Sequence, residues 1–318
     1  MDCSSFVHHA TTSLTFSLIL LCGKCVGPKV CYADELGGGK FVRETAYGTL
    51  EIRLGEKKVA EYRFGEELRK PRLSPVFAPD GKPITTDEPA DHKHHHGVWL
   101  GYHLVNEHNF WTEEKPGNNL RHERFVEVFD ELQYPGFVAR TRWDARGTAV
   151  LYDQRTFRFR LLDDGDYIID VAVTLTTDSK RVTIGRTKEA GLPAVRVADE
   201  IRVTAGGRIV NSEGGVNERS TMHKRARWLD YCGKREDGSS VGIACFVHPD
   251  NLDYPPYWFV RDWGWFAPNY TLWGEPITLT PDRPFTVRSR LLVHRGDTED
   301  ARVEQRFREY LSEIEQSR

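Results

Sequence analysis

Residues 149–175 constrain the fold more than any other stretch. Positions 149–162 form a long β-type run that ends at Asp163-Asp164-Gly165-Asp166. Positions 167–175 resume it, with Ile169, Val171 and Val173 on one face. Two such runs on either side of an acidic, glycine-containing turn predict a long antiparallel hairpin. Further strands are predicted at 49–54 (Leu50, Ile52 and Leu54 on one face), 136–143, 195–203, 225–231, 241–247 and 285–293. Short strands at regular spacing, separated by Gly and Pro, predict an all-β fold of sandwich or barrel type.

One helix is predicted, at 299–316, where Val303, Phe307, Tyr310, Leu311 and Ile314 make an apolar stripe at helical spacing. It is expected to pack on a sheet. The run at 14–22 (LTFSLILLC) is apolar but too short to span a bilayer. With Cys31-Tyr32-Ala33 ahead of Asp34, residues 1–33 read as an export signal, and 34–318 as one β domain ending in the helix. The protein is then expected in the periplasm or outside the cell. Four cysteines leave with the signal. Cys232 and Cys245 remain, on strand-like runs flanking the turn-rich 233–240. They could pair across a hairpin or stay as two buried thiols. A net charge of -3 gives no field favouring nucleic acid or an anionic membrane.

Seven of the twelve histidines lie between His92 and His122, four of them in Asp91-His92-Lys93-His94-His95-His96-Gly97. Histidine suits proton transfer near neutral pH and is the commonest metal ligand. On a strand, His92, His94 and His96 would share one face. Such a face can hold a metal, completed by a carboxylate or a distant histidine; Asp91, His103, Glu113, His122 and Glu123 are the candidates. The competing reading is a hydrogen-bonded histidine cluster that shapes a pocket without metal. Trp99, Tyr102, Phe110 and Trp111 surround the cluster, and Tyr254, Tyr257, Trp258, Trp263, Trp265 and Phe266 form a second aromatic group. Flat rings with polar neighbours suit the apolar faces of sugars, although large aromatics are equally ordinary in a β core.

Three further segments carry polar candidates. Lys188-Glu189 sets a cation beside a carboxylate, an arrangement that tunes an acid or base. His248 and Asn251 fall in a predicted loop after a strand. Arg261 could clamp a carboxylate or a hydroxyl cluster, or simply pair with Asp262. No phosphate-cradling Gly-rich loop, nucleophile elbow, zinc-finger spacing or calcium loop is present.

Several ordered motifs resemble a bacterial family labelled PmoA. They are Asp91-His92-x-His94-His95-x-Gly97-x-Trp99, His103-x-Val105-Asn106 and Phe110-Trp111. Lys188-Glu189-x-Gly191, Arg225-Ala226-x-Trp228-x-Asp230-Tyr231, His248-Pro249-x-Asn251 and Arg261-Asp262 extend the likeness. Lys93 and His96 depart from it, the family having Pro and Arg there; His96 loses support as a shared functional residue. The resemblance implies a β-supersandwich similar to galactose mutarotase and related sugar-active proteins. It does not imply the membrane methane monooxygenase subunit of the same name. That subunit crosses the bilayer many times, and each crossing needs ~20 apolar residues.

The expectation is an exported sugar- or glycan-active enzyme (epimerase, lyase or hydrolase) with no nucleic-acid partner and no stable membrane insertion. His94, His95, His122 and Glu189 are the expected acid–base residues. Trp99, His103, Asn106, Trp111, Lys188, His248, Asn251 and Arg261 are the expected substrate-binding ones. Two alternatives stand beside it: a divalent-metal enzyme with His92 and His94 as ligands, and a non-catalytic carbohydrate-binding or envelope module.

Overall fold

The computed structural model describes residues 39–113, 117–178 and 181–318; the expected export segment lies outside them. The strands run in chain order as β1 (Val42–Ala46), β2 (Thr49–Leu54), β3 (Lys57–Arg63), β4 (Arg72–Val76), β5 (Val98–Tyr102), β6 (Asn118–Phe129), β7 (Gly136–Ala145), β8 (Thr148–Leu161) and β9 (Tyr167–Thr176). They continue as β10 (Val182–Ile184), β11 (Ala190–Arg196), β12 (Arg208–Asn211), β13 (Trp228–Lys234), β14 (Ser240–Val247), β15 (Tyr257–Arg261), β16 (Trp265–Asn269), β17 (Ile277–Leu279) and β18 (Phe285–Arg295). Two helices, α1 (Asn217–Thr221) and α2 (Val303–Gln316), complete the set.

Two antiparallel eight-stranded sheets form a sandwich. The first has the order β1-β2-β3-β4-β5-β11-β16-β15, the second β12-β13-β14-β18-β9-β8-β7-β6. The predicted hairpin is β8–β9, in continuous register from Tyr152 opposite Thr176 to Leu161 opposite Tyr167. Alternation explains which face meets which. Ile169, Val171 and Val173 of β9 and Leu50 and Ile52 of β2 enter one shared core. Tyr62 of β3 lies 4.6 Å from Phe137 of β7, ring to ring, which joins the sheets.

Each sheet also has an outer face. On the second sheet α2 covers it: Phe307 and Tyr310 pack on Ile168, Trp228, Phe246 and Leu292. On the first sheet a small cluster of Trp99, Trp111, Ala194, Phe259, Trp265 and Ala267 occupies it. These residues alternate with core residues along β5, β15 and β16. Val98, Leu100 and Tyr102 point into the sandwich, and Trp99 points out.

Three expectations need correction, and one open alternative, the state of Cys232 and Cys245, is decided. The strand expected at 195–203 is β11, which starts at Ala190 and stops at Arg196; two short 3-10 turns follow. Charges at Asp199, Glu200 and Arg202 leave Ile201 as the one buried residue of the first turn, so no half-buried strand can continue. The segment 225–231 is split. Arg225 bridges Tyr257 in the first sheet, and β13 begins at Trp228 in the second. The helix expected from 299 begins at Val303, because the Asp297 carboxylate accepts from the Glu299 and Asp300 amides and holds them in a turn. Cys232 and Cys245 are two free buried thiols. Their strands are neighbours, but Cys232 stands opposite Gly242 and Cys245 opposite Leu229, three register positions apart.

Candidate functional site

The histidine run is not a strand. Residues 91–97 form a tight loop between β4 and β5, closed by His92 N–H to Pro89 C=O (3.0 Å) and His95 N–H to His92 C=O (2.9 Å). The two-residue alternation that would align His92, His94 and His96 is therefore absent. Gly97 lets the loop enter β5, since a Cβ there would meet the Leu73 carbonyl oxygen at 2.4 Å. Asp91 anchors the loop's start. Both of its carboxylate oxygens accept from the fully buried Arg196 guanidinium, at 2.9 and 2.8 Å.

The four histidines part company within that loop. His92 stacks on Trp263 at 4.5 Å, nearly parallel, and on His95 at 4.8 Å. His95 sinks among Trp99, Trp111 and Trp265, at 5.2, 5.8 and 5.3 Å. His94 stands 4.7 Å from His95, edge on. His96 turns under the floor. There Nδ1 bonds Asp87 (2.7 Å) and Nε2 bonds Glu113 (3.0 Å). Glu113 also takes the buried Lys70 ammonium at 3.3 Å.

One cavity of about 1140 Å³ lies above this loop, on the outer face of the first sheet. His92, His94, His95, His103, Trp111, Lys188, Glu189, Arg261, Trp263 and Trp265 all reach it. The His103 Nδ1 and a Glu189 carboxylate oxygen share a close hydrogen bond. The backbone supports it, because His103 N–H donates to Glu189 C=O at 2.9 Å where β5 and β11 part. Trp111 can cross the sheet because Gly101 lies beneath it; a Cβ at Gly101 would meet the Trp111 ring at 3.3 Å.

Burial sets the protonation of the loop. It lowers the His94 pKa to about 4, helped by the Lys70 charge. It holds His95 lower still, helped by His94 and His92. Both rings are therefore neutral near pH 7 and each keeps one acceptor nitrogen. Lys70 is lowered to about 8 by burial, which Glu113 opposes. Burial would raise Glu113, but the His96 hydrogen bond and the Lys70 charge outweigh it and hold that carboxyl at about 2.

Other expected site residues lie elsewhere. His122 of β6 sits between Phe64 and Phe125, 4.6 and 4.5 Å away, and does not line the cavity. Asn106 takes a left-handed turn and accepts from the Thr183 amide at 2.8 Å. Asn251 clamps Arg288, accepting from its amide at 2.8 Å and donating to its carbonyl at 2.7 Å. His248 accepts from the Asp250 amide and borders a groove beside α2. Trp99 is buried beneath His95 and does not itself line the cavity.

The metal ligands expected at His92 and His94 have rings 5.7 Å apart and join no third ligand within 4.8 Å among the described residues. The one trio that converges so closely there is Asp87, Glu88 and His96. Arg72 already occupies it, its guanidinium donating to Asp87 at 3.0 Å and to Glu88 at 2.8 Å. The residues missed from sequence are mainly this support: Lys70, Arg72, Asp87 and Arg196. Lys70 stands in the Lys70-Pro71 stretch shared with the resembled family, but no local pattern marked any of the four as buried.

Fold and site together define an all-β sandwich protein with a polar, aromatic cavity on the outer face of one sheet. Over residues 49–308 the chain matches a family described as "Family of unknown function (DUF6807)", and it belongs to that family. No curated protein matches it. Among solved structures it is similar to a chain named as a candidate kojibiose phosphorylase from human microbiome, at 8% identity and a TM-score of 0.37, over 85% of this chain and 32% of that one. This chain thus spans about a third of that protein's length.

Proposed function

We propose that the cavity binds a sugar or glycan and that its histidines move a proton on it. The observation that carries this reading is the meeting of neutral imidazoles, a His–Glu pair and indole rings in one cavity. Ring faces such as Trp263 suit the C–H faces of a pyranose, and the polar atoms between them suit its hydroxyls. His94, neutral near pH 7, is the proton acceptor. His103 is the complementary donor: Glu189 fixes its Nδ1 and leaves Nε2 without a protein partner among the described residues. His95 positions the reacting group. A base and an oriented acid in one site serve epimerisation, elimination and hydrolysis alike. The apolar run at 14–22 supports an exported protein, one domain from residue 34, and the motif resemblance supports kinship with the PmoA-labelled family.

The test is turnover of a glycan library, read as product by mass spectrometry, in wild type and in His94→Gln, His95→Gln and Glu189→Gln. Wild type should convert at least one glycan. His94→Gln should lose at least ~100-fold in kcat, the scale of a general base. Full turnover in the His94→Gln variant would refute the assignment.

A further inference from the structure

The charges around the cavity are not balanced. Four carboxylates line it, and each is answered by a group of the scaffold. Glu88 takes the Arg72 guanidinium at 2.8 Å, Asp91 takes Arg196 at 2.8 Å, and Glu113 takes Lys70 at 3.3 Å. Those three cations are buried. Glu189 is held by His103.

The lining cations are not answered in the same way. Lys93 and Lys188 are exposed and make no ion pair among the described residues. Among the described residues the Arg69 side chain makes only a long contact with Asn119, at 3.4 Å. Arg261 alone has an acid, Glu218. The cavity therefore presents more free positive than negative charge, in a chain whose net charge is -3. Lys188 and Arg261 also act on a common neighbour: after burial, their charges are what lower the His223 pKa. Two polar atoms of the lining residues, His95 Nδ1 and Trp265 Nε1, are buried without a partner among the described residues, in residues 2% and 4% exposed. An indole N–H can only donate, so its partner must be an acceptor.

We infer that the ligand of this cavity is an acidic carbohydrate, one carrying a carboxylate or a sulfate ester, with its anionic group held by Lys188 and Arg261. The inference rests on the sugar reading above and narrows it. Each lining acid has a partner in the scaffold, whereas Lys93 and Lys188 have none among the described residues, so these exposed cations tilt the field that a ligand meets.

The test is calorimetric titration of the full chain. The probes are galacturonate and glucuronate trisaccharides, their carboxyl-reduced neutral counterparts, a sulfated galactose disaccharide, and citrate. At least one acidic sugar should bind about tenfold more tightly than its neutral counterpart, a difference of one charge-assisted contact. Lys188→Gln should weaken that acidic sugar about fivefold and leave the neutral counterpart within about twofold. The sulfated and uronate arms tell the two anions apart. Neutral sugars binding as well as acidic ones, or Lys188→Gln weakening both equally, would overturn the inference and leave the sugar reading standing. Citrate binding with no sugar bound would overturn the sugar reading, and with it the carbohydrate part of this inference. No binding by any probe would overturn both.

Discussion

Replacing His94 with glutamine removes a titration that opposes folding in acid. The folded pKa of His94 is about 4, lowered by burial and then by Lys70; an unfolded histidine sits near 6.5. As pH falls, the unfolded chain binds the proton first. Stability is therefore undiminished above about pH 7, falls between about 6.5 and 4, and levels off below 4. The full shift is worth about 3.4 kcal/mol, of which about 2.4 is lost between pH 7 and pH 4.5. The cavity is open, and water relaxes a charged ring there, so about half of that figure, ~1.2 kcal/mol, is the expectation. Urea unfolding followed by circular dichroism at both pH values, in wild type and His94→Gln, measures it. Wild type should lose ~1.2 kcal/mol more than the variant on acidification; histidines outside the loop cancel in the difference. Equal losses, or a His94 ring that titrates at about 6 by NMR, would refute the neutral imidazole and its role as base.

Catalysis should report the same group: with His94 as base, kcat/KM should hold from neutral pH down to about pH 5 and fall below about 4, and a limb near 6.5 would assign the base elsewhere. Trp263→Ala should weaken sugar binding about tenfold in a fluorescence titration while leaving the fold intact, since Trp263 is only partly buried; unchanged affinity would remove it from the site. Asp153→Ala should cost about 3–5 kcal/mol in urea unfolding, because it strands the buried Arg155 guanidinium and the Trp143 N–H, and Asp153→Leu with Arg155→Met should recover most of that; a loss below ~1 kcal/mol for the single variant would contradict the pair's burial. Cys232 and Cys245, buried and with thiols raised to about 12 by burial, should resist site-resolved alkylation until denaturant is added; native labelling would show that the sheet opens.

The strands with strict alternation were legible in the sequence. The 49–54 expectation coincides with β2, and β8–β9 and β18 came within a residue or two at each end. What failed was local. A shared face for His92, His94 and His96 held only on condition of a strand, and Gly97 and the Asp91–Arg196 anchor make the run a loop instead. His94, His95, His103, Lys188 and Glu189 do share a cavity, although β5 and β11 are almost ninety residues apart in the chain. His122, Asn106, His248 and Asn251 were grouped with them by residue type and motif. Their placement depends on which sheet each segment joins, and no local pattern encodes that. The buried cations beneath the site were invisible for a related reason: Lys70 and Arg72 become interior only once β4 is flanked by β3 and β5.

Because β5, β15 and β16 give alternate residues to the core and to the outer aromatic cluster beneath the cavity, their reading frame matters as much as their composition. A substitution on one of these strands touches one face. Deleting a single residue would exchange both at once, turning Trp99 inward and Val98 outward along the rest of β5. Length changes near this site can therefore be absorbed in the connecting loops, or in steps of two within a strand, while the chemistry of the cavity varies freely by point substitution. For anyone redesigning the cavity, the outward positions are open to change and the strand lengths are fixed.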